Sequence, residues 1–143
     1  MKKINGVAFW ILSLTWGLPM TLIGALVALA LLITGHKPKR FHHFIYFEVG
    51  YNWGGFEVGG FFVVDKYASE RTKRHEAGHG IQNIILGPLM PFLVSIPSAI
   101  RYWYFRYLVA SKKKLHSDLP PYDSIWFEGW ATKLGDRYYK EEV

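Results

Sequence analysis

Apolar positions along this chain fall into blocks of different period. From Val7 to Ile33 they are nearly continuous, and Lys3 and Lys37 bracket 33 consecutive positions without a formal charge. About 20 apolar residues cross the hydrocarbon core of a bilayer, so this block predicts a transmembrane helix and residues 1–36 an anchor. A cleaved signal peptide carries only about 7 to 15 apolar residues before its cleavage site, and this block is much longer. Pro19 predicts a kink of the kind membrane helices tolerate. From Phe41 to Asp65 the period changes to two. Ile45, Phe47, Val49 and Tyr51 alternate with Phe44, Tyr46, Glu48 and Gly50, and Phe56, Val58, Gly60 and Phe62 resume the alternation after Asn52-Trp53-Gly54-Gly55. The spacing predicts a β-hairpin over 41–65 with a glycine turn.

A helix is predicted over 69–86, with Ser69 as its cap and Gly87-Pro88 as its stop. Between Glu76 and Arg101 lie 24 positions without formal charge, enough by length for a second crossing. Gly87, Pro88, Pro91 and Pro97 divide that run, so a re-entrant or interfacial segment over 87–110 is expected, with a kinked second crossing as the alternative. If this segment crossed the membrane, the last predicted helix would emerge on the far side from the one at 69–86. That last helix, over 123–140, follows Pro120-Pro121 and has Asp123 or Ser124 as its cap. The elements amount to an α+β membrane protein.

Composition narrows the reading. The chain has 143 residues, one domain's worth, and 50% of them are hydrophobic and 17% aromatic, which excludes a disordered chain. A mean hydropathy of +0.07 excludes a protein that is membrane throughout. There is no cysteine, so disulfides, thiolate zinc sites and cysteine nucleophiles are excluded, and any metal must be held by His and carboxylate. Lys and Arg number 17 against 11 Asp and Glu. With one crossing, Lys2 and Lys3 face one side and every other basic residue the opposite side, which places the C-terminal part in the cytoplasm by the positive-inside rule. Arg101, Arg106 and Lys112 to Lys114, interleaved with aromatic residues, fit an interfacial belt on anionic lipid. The expected partner is therefore the membrane and not nucleic acid.

Candidate chemistry lies in the third block, where His75-Glu76-Ala77-Gly78-His79 has H-E-x-x-H spacing. Residues four apart stand one above the other on a helix, so both imidazoles can reach one Zn²⁺ while Glu76 stands beside the open coordination position as general base and acid. Gly78 and Gly80 cost about 1 kcal/mol each against alanine in a helix, which suggests that another backbone or a substrate comes close there. A third ligand must be His, Asp or Glu. Glu128 is the choice, because it shares a helix face with the small residues Ala131, Thr132 and Gly135. Its alternative roles are a cap or a solvated surface charge. His116 is the rival ligand, in a basic loop, and His36, His42 and His43 are expected at the membrane interface or on the hairpin.

These residues resemble the gluzincin type of zinc metallopeptidase, through His75-Glu76-Ala77-Gly78-His79 and the downstream Glu128-Gly129-Trp130-Ala131-Thr132. More narrowly, Arg74 to Ile100, with Ile85-Leu86-Gly87-Pro88-Leu89 and Ile96-Pro97-Ser98-Ala99-Ile100, is similar to a group of small uncharacterised bacterial membrane proteins. The resemblance implies a minimal zincin-like domain over 37–143 in a bacterial inner membrane, hydrolysing peptides or membrane-protein segments. Four residues after the ligand Glu, the gluzincin pattern often has an Asp that orients a zinc-bound histidine; here that position is Thr132, uncharged but still able to accept a hydrogen bond. A tyrosine, His116 or an arginine would stabilise the oxyanion, and an edge of the 41–64 hairpin would hold substrate by strand addition. The alternative is a non-catalytic membrane interaction protein with a structural or decayed zinc site.

Overall fold

The computed structural model describes residues 3–140, apart from the side chain of His116. Helices α1 (Gly6–Leu14) and α2 (Leu18–Ile33) are followed by strands β1 (Lys39–Phe41), β2 (Phe44–Glu48), β3 (Gly55–Val58) and β4 (Phe61–Val64), then α3 (Glu70–Leu86), α4 (Ile96–Ala110) and α5 (Trp126–Tyr139). The fold is α+β, with five helices and one mixed sheet among the described residues.

The apolar block before Lys37 is not one helix. It breaks at Thr15-Trp16-Gly17, and α1 and α2 meet at a bend of 97°. The expected kink at Pro19 is displaced to this elbow, and Pro19 itself stands in the first turn of α2, where its missing N–H costs nothing. Asn83 Nδ2 donates to Gly17 O at 3.1 Å, and Trp16 Nε1 donates to Ile85 O at 3.1 Å, so the elbow is seated on the end of α3. Among the described residues no single helix is long and apolar enough to cross a membrane. Two bent pairs have the length and composition together, α1 with α2 and Glu70–Leu89 with Pro91–Ala110, the second bent by 117°.

The sheet also differs from the expected hairpin. Two tight antiparallel hairpins form, β1–β2 turning at His42-His43 and β3–β4 turning at Gly59-Gly60, and β4 inserts between β2 and β3 in parallel register with β2, Ile45 opposite Phe61. The order is β1-β2-β4-β3, so Asn52-Trp53-Gly54 belongs to a connection and Gly60 to a turn. Burial accounts for this choice. Phe44-Ile45-Tyr46-Phe47 and Phe61-Phe62-Val63-Val64 are the most apolar strands and take the centre, while Lys39 and Arg40 on β1 and Gly55 and Glu57 on β3 are left for the edges. Gly59 has φ +77°, and a Cβ on it would lie 2.4 Å from the backbone of Thr21, so the turn requires glycine twice over.

Helix α3 runs as expected, with Ser69 Oγ accepting from the Thr72 N–H at 3.2 Å. The 87–110 run is divided at its prolines as expected, into a 3₁₀ turn at Gly87–Leu89, a π-helical stretch at Pro91–Ser95, and α4. The last helix starts later than predicted. Residues 122–124 form a separate turn, α5 begins at Trp126 without a side-chain cap, and Asp123 instead faces Arg71 at 3.5 Å. One core joins the sheet to α1, α3 and α5 through Phe9, Phe44, Phe62, Ala77, Ile81 and Leu134. A smaller one collects Met20, Val58, Met90, Val94 and Phe127 under the two elbows.

Candidate metal centre

The site is set by how closely α3 and α5 approach. A Cβ on Gly78 would lie 1.9 Å from Ala131 O, and one on Gly135 would lie 2.0 Å from Arg74 O. Two helices cross backbone to backbone there, with Arg74 Nε donating to Asp136 Oδ1 at 3.0 Å alongside. This contact explains the glycine in a helix interior and brings Glu128 over the Nε2 ends of His75 and His79.

His75 Nε2 lies 3.0 Å from Glu128 Oε2 and His79 Nε2 lies 3.4 Å from Glu128 Oε1. One donor atom from each of the three lies within 4.8 Å of the others. For a tetrahedral zinc with ligands at about 2.0–2.1 Å, donor atoms stand about 3.3 Å apart, so the group needs only small adjustment to hold the ion. The other ring nitrogens are engaged elsewhere: His75 Nδ1 lies 2.9 Å from Thr132 Oγ1, and His79 Nδ1 lies 2.7 Å from Gln82 Oε1. Each Nδ1 is tied to an oxygen that fixes the ring, which turns both Nε2 atoms toward Glu128. Gln82 is held in turn by donating from Nε2 to Phe127 O at 2.8 Å, and Ser98 Oγ donates to Glu128 Oε1 at 2.6 Å.

Burial alone would raise Glu128, but hydrogen bonds from His75 and His79 hold its carboxyl well below the usual range. Burial alone would lower His79, but Glu128 and the field of Glu76 raise it to about 9. Glu76 is 5% exposed, and burial pushes its pKa up. A Cβ on Gly55 would come within 3.3 Å of Glu76 Cγ, which places the Glu76 side chain against edge strand β3.

Comparison with known proteins finds no matching family model, no similar curated protein and no similar solved structure.

Of the residues singled out in the sequence, His75, His79, Glu128 and Thr132 come together, and Glu76 lies buried beside them. His116 opens a short 3₁₀ turn and its side chain lies outside the described residues. His42 and His43 form the β1–β2 turn, and His36 Nδ1 pairs with Thr34 Oγ1 at 3.0 Å just past α2. Sequence reasoning missed Gln82 and Ser98. Gln82 carries a legible signal, a polar residue one turn after a candidate ligand on the same face, whereas Ser98 has none. It also missed Glu57 on β3, 8% exposed, whose carboxyl accepts from Gly59 N–H and is pushed by burial up to about 8. Tyr122, a residue type the sequence leaves unassigned, lies beside His75. Its ring lies 6.0 Å from that of His75 with the Arg101 guanidinium 5.0 Å above it, and burial keeps its phenol protonated.

Proposed function

We propose that this chain is a membrane-anchored zinc-dependent peptidase in which His75, His79 and Glu128 hold the metal. The observation that carries the reading is the paired fixing of both histidines through Nδ1, by Thr132 and Gln82, so that both Nε2 atoms face Glu128. Zinc bound there would lower the pKa of water to about 7. Glu76 then takes a proton from the attacking water and delivers it to the leaving amine. Tyr122, backed by Arg101, offers a neutral O–H to the developing oxyanion. Strand β3 is a sheet edge beside Glu76, and its free backbone groups suit an extended peptide added as a further strand. The uncovered apolar faces of α1, α2 and α4 supply the membrane anchor. Membrane-proximal segments are then the substrates in reach.

A second reading is favoured by Thr132, which lacks the charge of an aspartate and would leave a structural or decayed zinc site in a membrane interaction protein. Metal analysis and peptide cleavage of wild type beside Glu76→Gln and Glu128→Ala separate the two. The peptidase reading expects zinc in wild type, zinc retained but cleavage lowered about 10²- to 10⁴-fold in Glu76→Gln, and zinc lost in Glu128→Ala. Zinc bound by a wild type that cleaves no peptide would favour the structural site, and zinc bound equally by Glu128→Ala would remove Glu128 from the ligand set.

A further inference from the structure

The outer faces of α1, α2 and the 87–110 segment are bare. Val7 is 71% exposed, Leu26 62%, Ile33 77%, Phe92 70%, Ile100 64% and Trp103 66%, and soluble monomers avoid apolar surface of this density. The two bent segments touch at their elbows, where Trp16 Nε1 donates to Ile85 O and Ser95 Oγ approaches Met20 Sδ at 3.5 Å. Arg101, Arg106 and Lys112 to Lys114 adjoin the aromatic part of the surface, so its charge complement is an anionic leaflet. We propose that these segments lie in the plane of one leaflet and that the chain does not cross the bilayer, so that Lys3 and the basic loop at Lys112–Lys114 are on the same side. This rests on the membrane half of the function proposed above.

Reach is the first argument. Helices α1 and α2 have 9 and 16 residues, and at a 97° bend their far ends stand about 26 Å apart, less than the ~30 Å hydrocarbon core. The second argument is where those ends go. A Cβ on Gly6 would lie 3.2 Å from His43, and Trp10 Nε1 donates to His43 O at 2.8 Å, so the start of α1 is fixed to the β1–β2 turn. The end of α2 leads through 34–38 into β1 of that same hairpin, which carries the Lys39–Glu48 ion pair and exposed Arg40. A crossing would put Gly6 and Ile33 on opposite faces and draw a charged hairpin through lipid. The third argument is what lies beside α2. Its inner face of Met20, Thr21, Gly24 and Ala28 is buried, and Gly24, near its middle, would carry a Cβ 2.0 Å from Val58 O. The β3–β4 turn, with the Glu57 carboxyl that accepts from Gly59 N–H, therefore sits level with α2, and a crossing would carry that turn and its carboxyl into the hydrocarbon. In-plane docking immerses only the outer faces, to about 5–10 Å.

Because the chain has no cysteine, Lys3→Cys, Lys37→Cys and Lys114→Cys each give a single thiol at an exposed position, before, between and after the two bent segments. Labelling with a membrane-impermeant maleimide in right-side-out and inside-out vesicles reads the topology directly. All three thiols should label from one face, with complete loss of labelling from the other. Lys3→Cys labelling from the face opposite to Lys37→Cys, or Lys114→Cys from the face opposite to Lys37→Cys, would show a crossing and overturn in-plane docking while leaving the anchor intact. Recovery of the unmodified chain in the soluble fraction as an oligomer would assign the bare face to a second copy and overturn the membrane half of the proposed function as well. Glu76→Gln, which touches only the chemistry, should leave the labelling pattern unchanged.

Discussion

Replacing Gly78 with alanine should force α3 and α5 apart at the point where the metal group is assembled. The new Cβ would lie 1.9 Å from Ala131 O, 2.7 Å from its carbonyl carbon and 3.0 Å from Gly135 N, all backbone atoms that no rotamer change can move. An ordinary contact requires more than about 1 Å of separation between the helix axes. Overpacking of this kind costs about 1–3 kcal/mol, against about 1 kcal/mol gained by removing a glycine from a helix interior, so stability should fall by up to about 2 kcal/mol. The effect on zinc is larger than the effect on folding. Glu128 rides on α5 and both histidines on α3, so an ångström of separation carries the present 3.0 and 3.4 Å donor spacings past what tetrahedral ligands within ±0.2 Å of their ideal distances accept. Zinc affinity, measured by competition with a chromophoric chelator, should weaken by about 100-fold or more, and thermal melting in detergent gives the stability change. Unchanged affinity together with a Tm raised by the few degrees that helix propensity alone supplies would refute the close approach and the role assigned to it.

Thr132→Val removes the oxygen that receives His75 Nδ1–H and should weaken zinc binding about 10- to 100-fold, while Thr132→Asp should bind at least as tightly as wild type; equal affinity in all three would show that Thr132 orients nothing. Acid should destabilise the fold through His43, whose pKa burial lowers to about 4, with the positive field of His42 adding to it. The unfolded chain takes up a proton near pH 6.5 that the native state refuses, so stability is complete above 6.5 and is lost as pH falls toward 4. After allowance for solvent screening of a half-buried ring, the loss is about 1–2 kcal/mol. A drop in Tm between pH 7 and pH 5 that His43→Phe does not diminish would remove His43 as its source.

Much of the site was legible because its chemistry is local. The i, i+4 spacing of His75 and His79 places both imidazoles on one face of α3 whatever surrounds them, and the small residues sharing a helix face with Glu128 mark where its helix can come close to them. Gln82 and Ser98 were not legible as parts of the site, since a glutamine and a serine acquire meaning only from the atoms brought to them, a histidine Nδ1 and a glutamate oxygen. The strands of the sheet were legible from alternation, but their neighbours were not. Period two identifies a strand, and only competition for the buried centre put β4 between β2 and β3. The elbow at Thr15-Trp16-Gly17 was hidden for a related reason. Nothing in an uninterrupted apolar run marks a right-angle bend, which depends on the end of α3 arriving to receive Trp16 and Gly17.

Phe9 is fully buried and packs against Phe44 with tilted rings 4.7 Å apart, inside the same core as α3. A laboratory seeking a soluble fragment would cut at Lys37, where the apolar block ends. That cut would take a full aromatic side chain out of the centre of the domain, uncover His43, and leave the ends of α3 and the β3–β4 turn without the elbow that seats them. What reads along the chain as a separate anchor is a structural member of the domain that follows it, and the two should melt together as one cooperative unit. A folded fragment of this protein keeps every residue from the first helix onward.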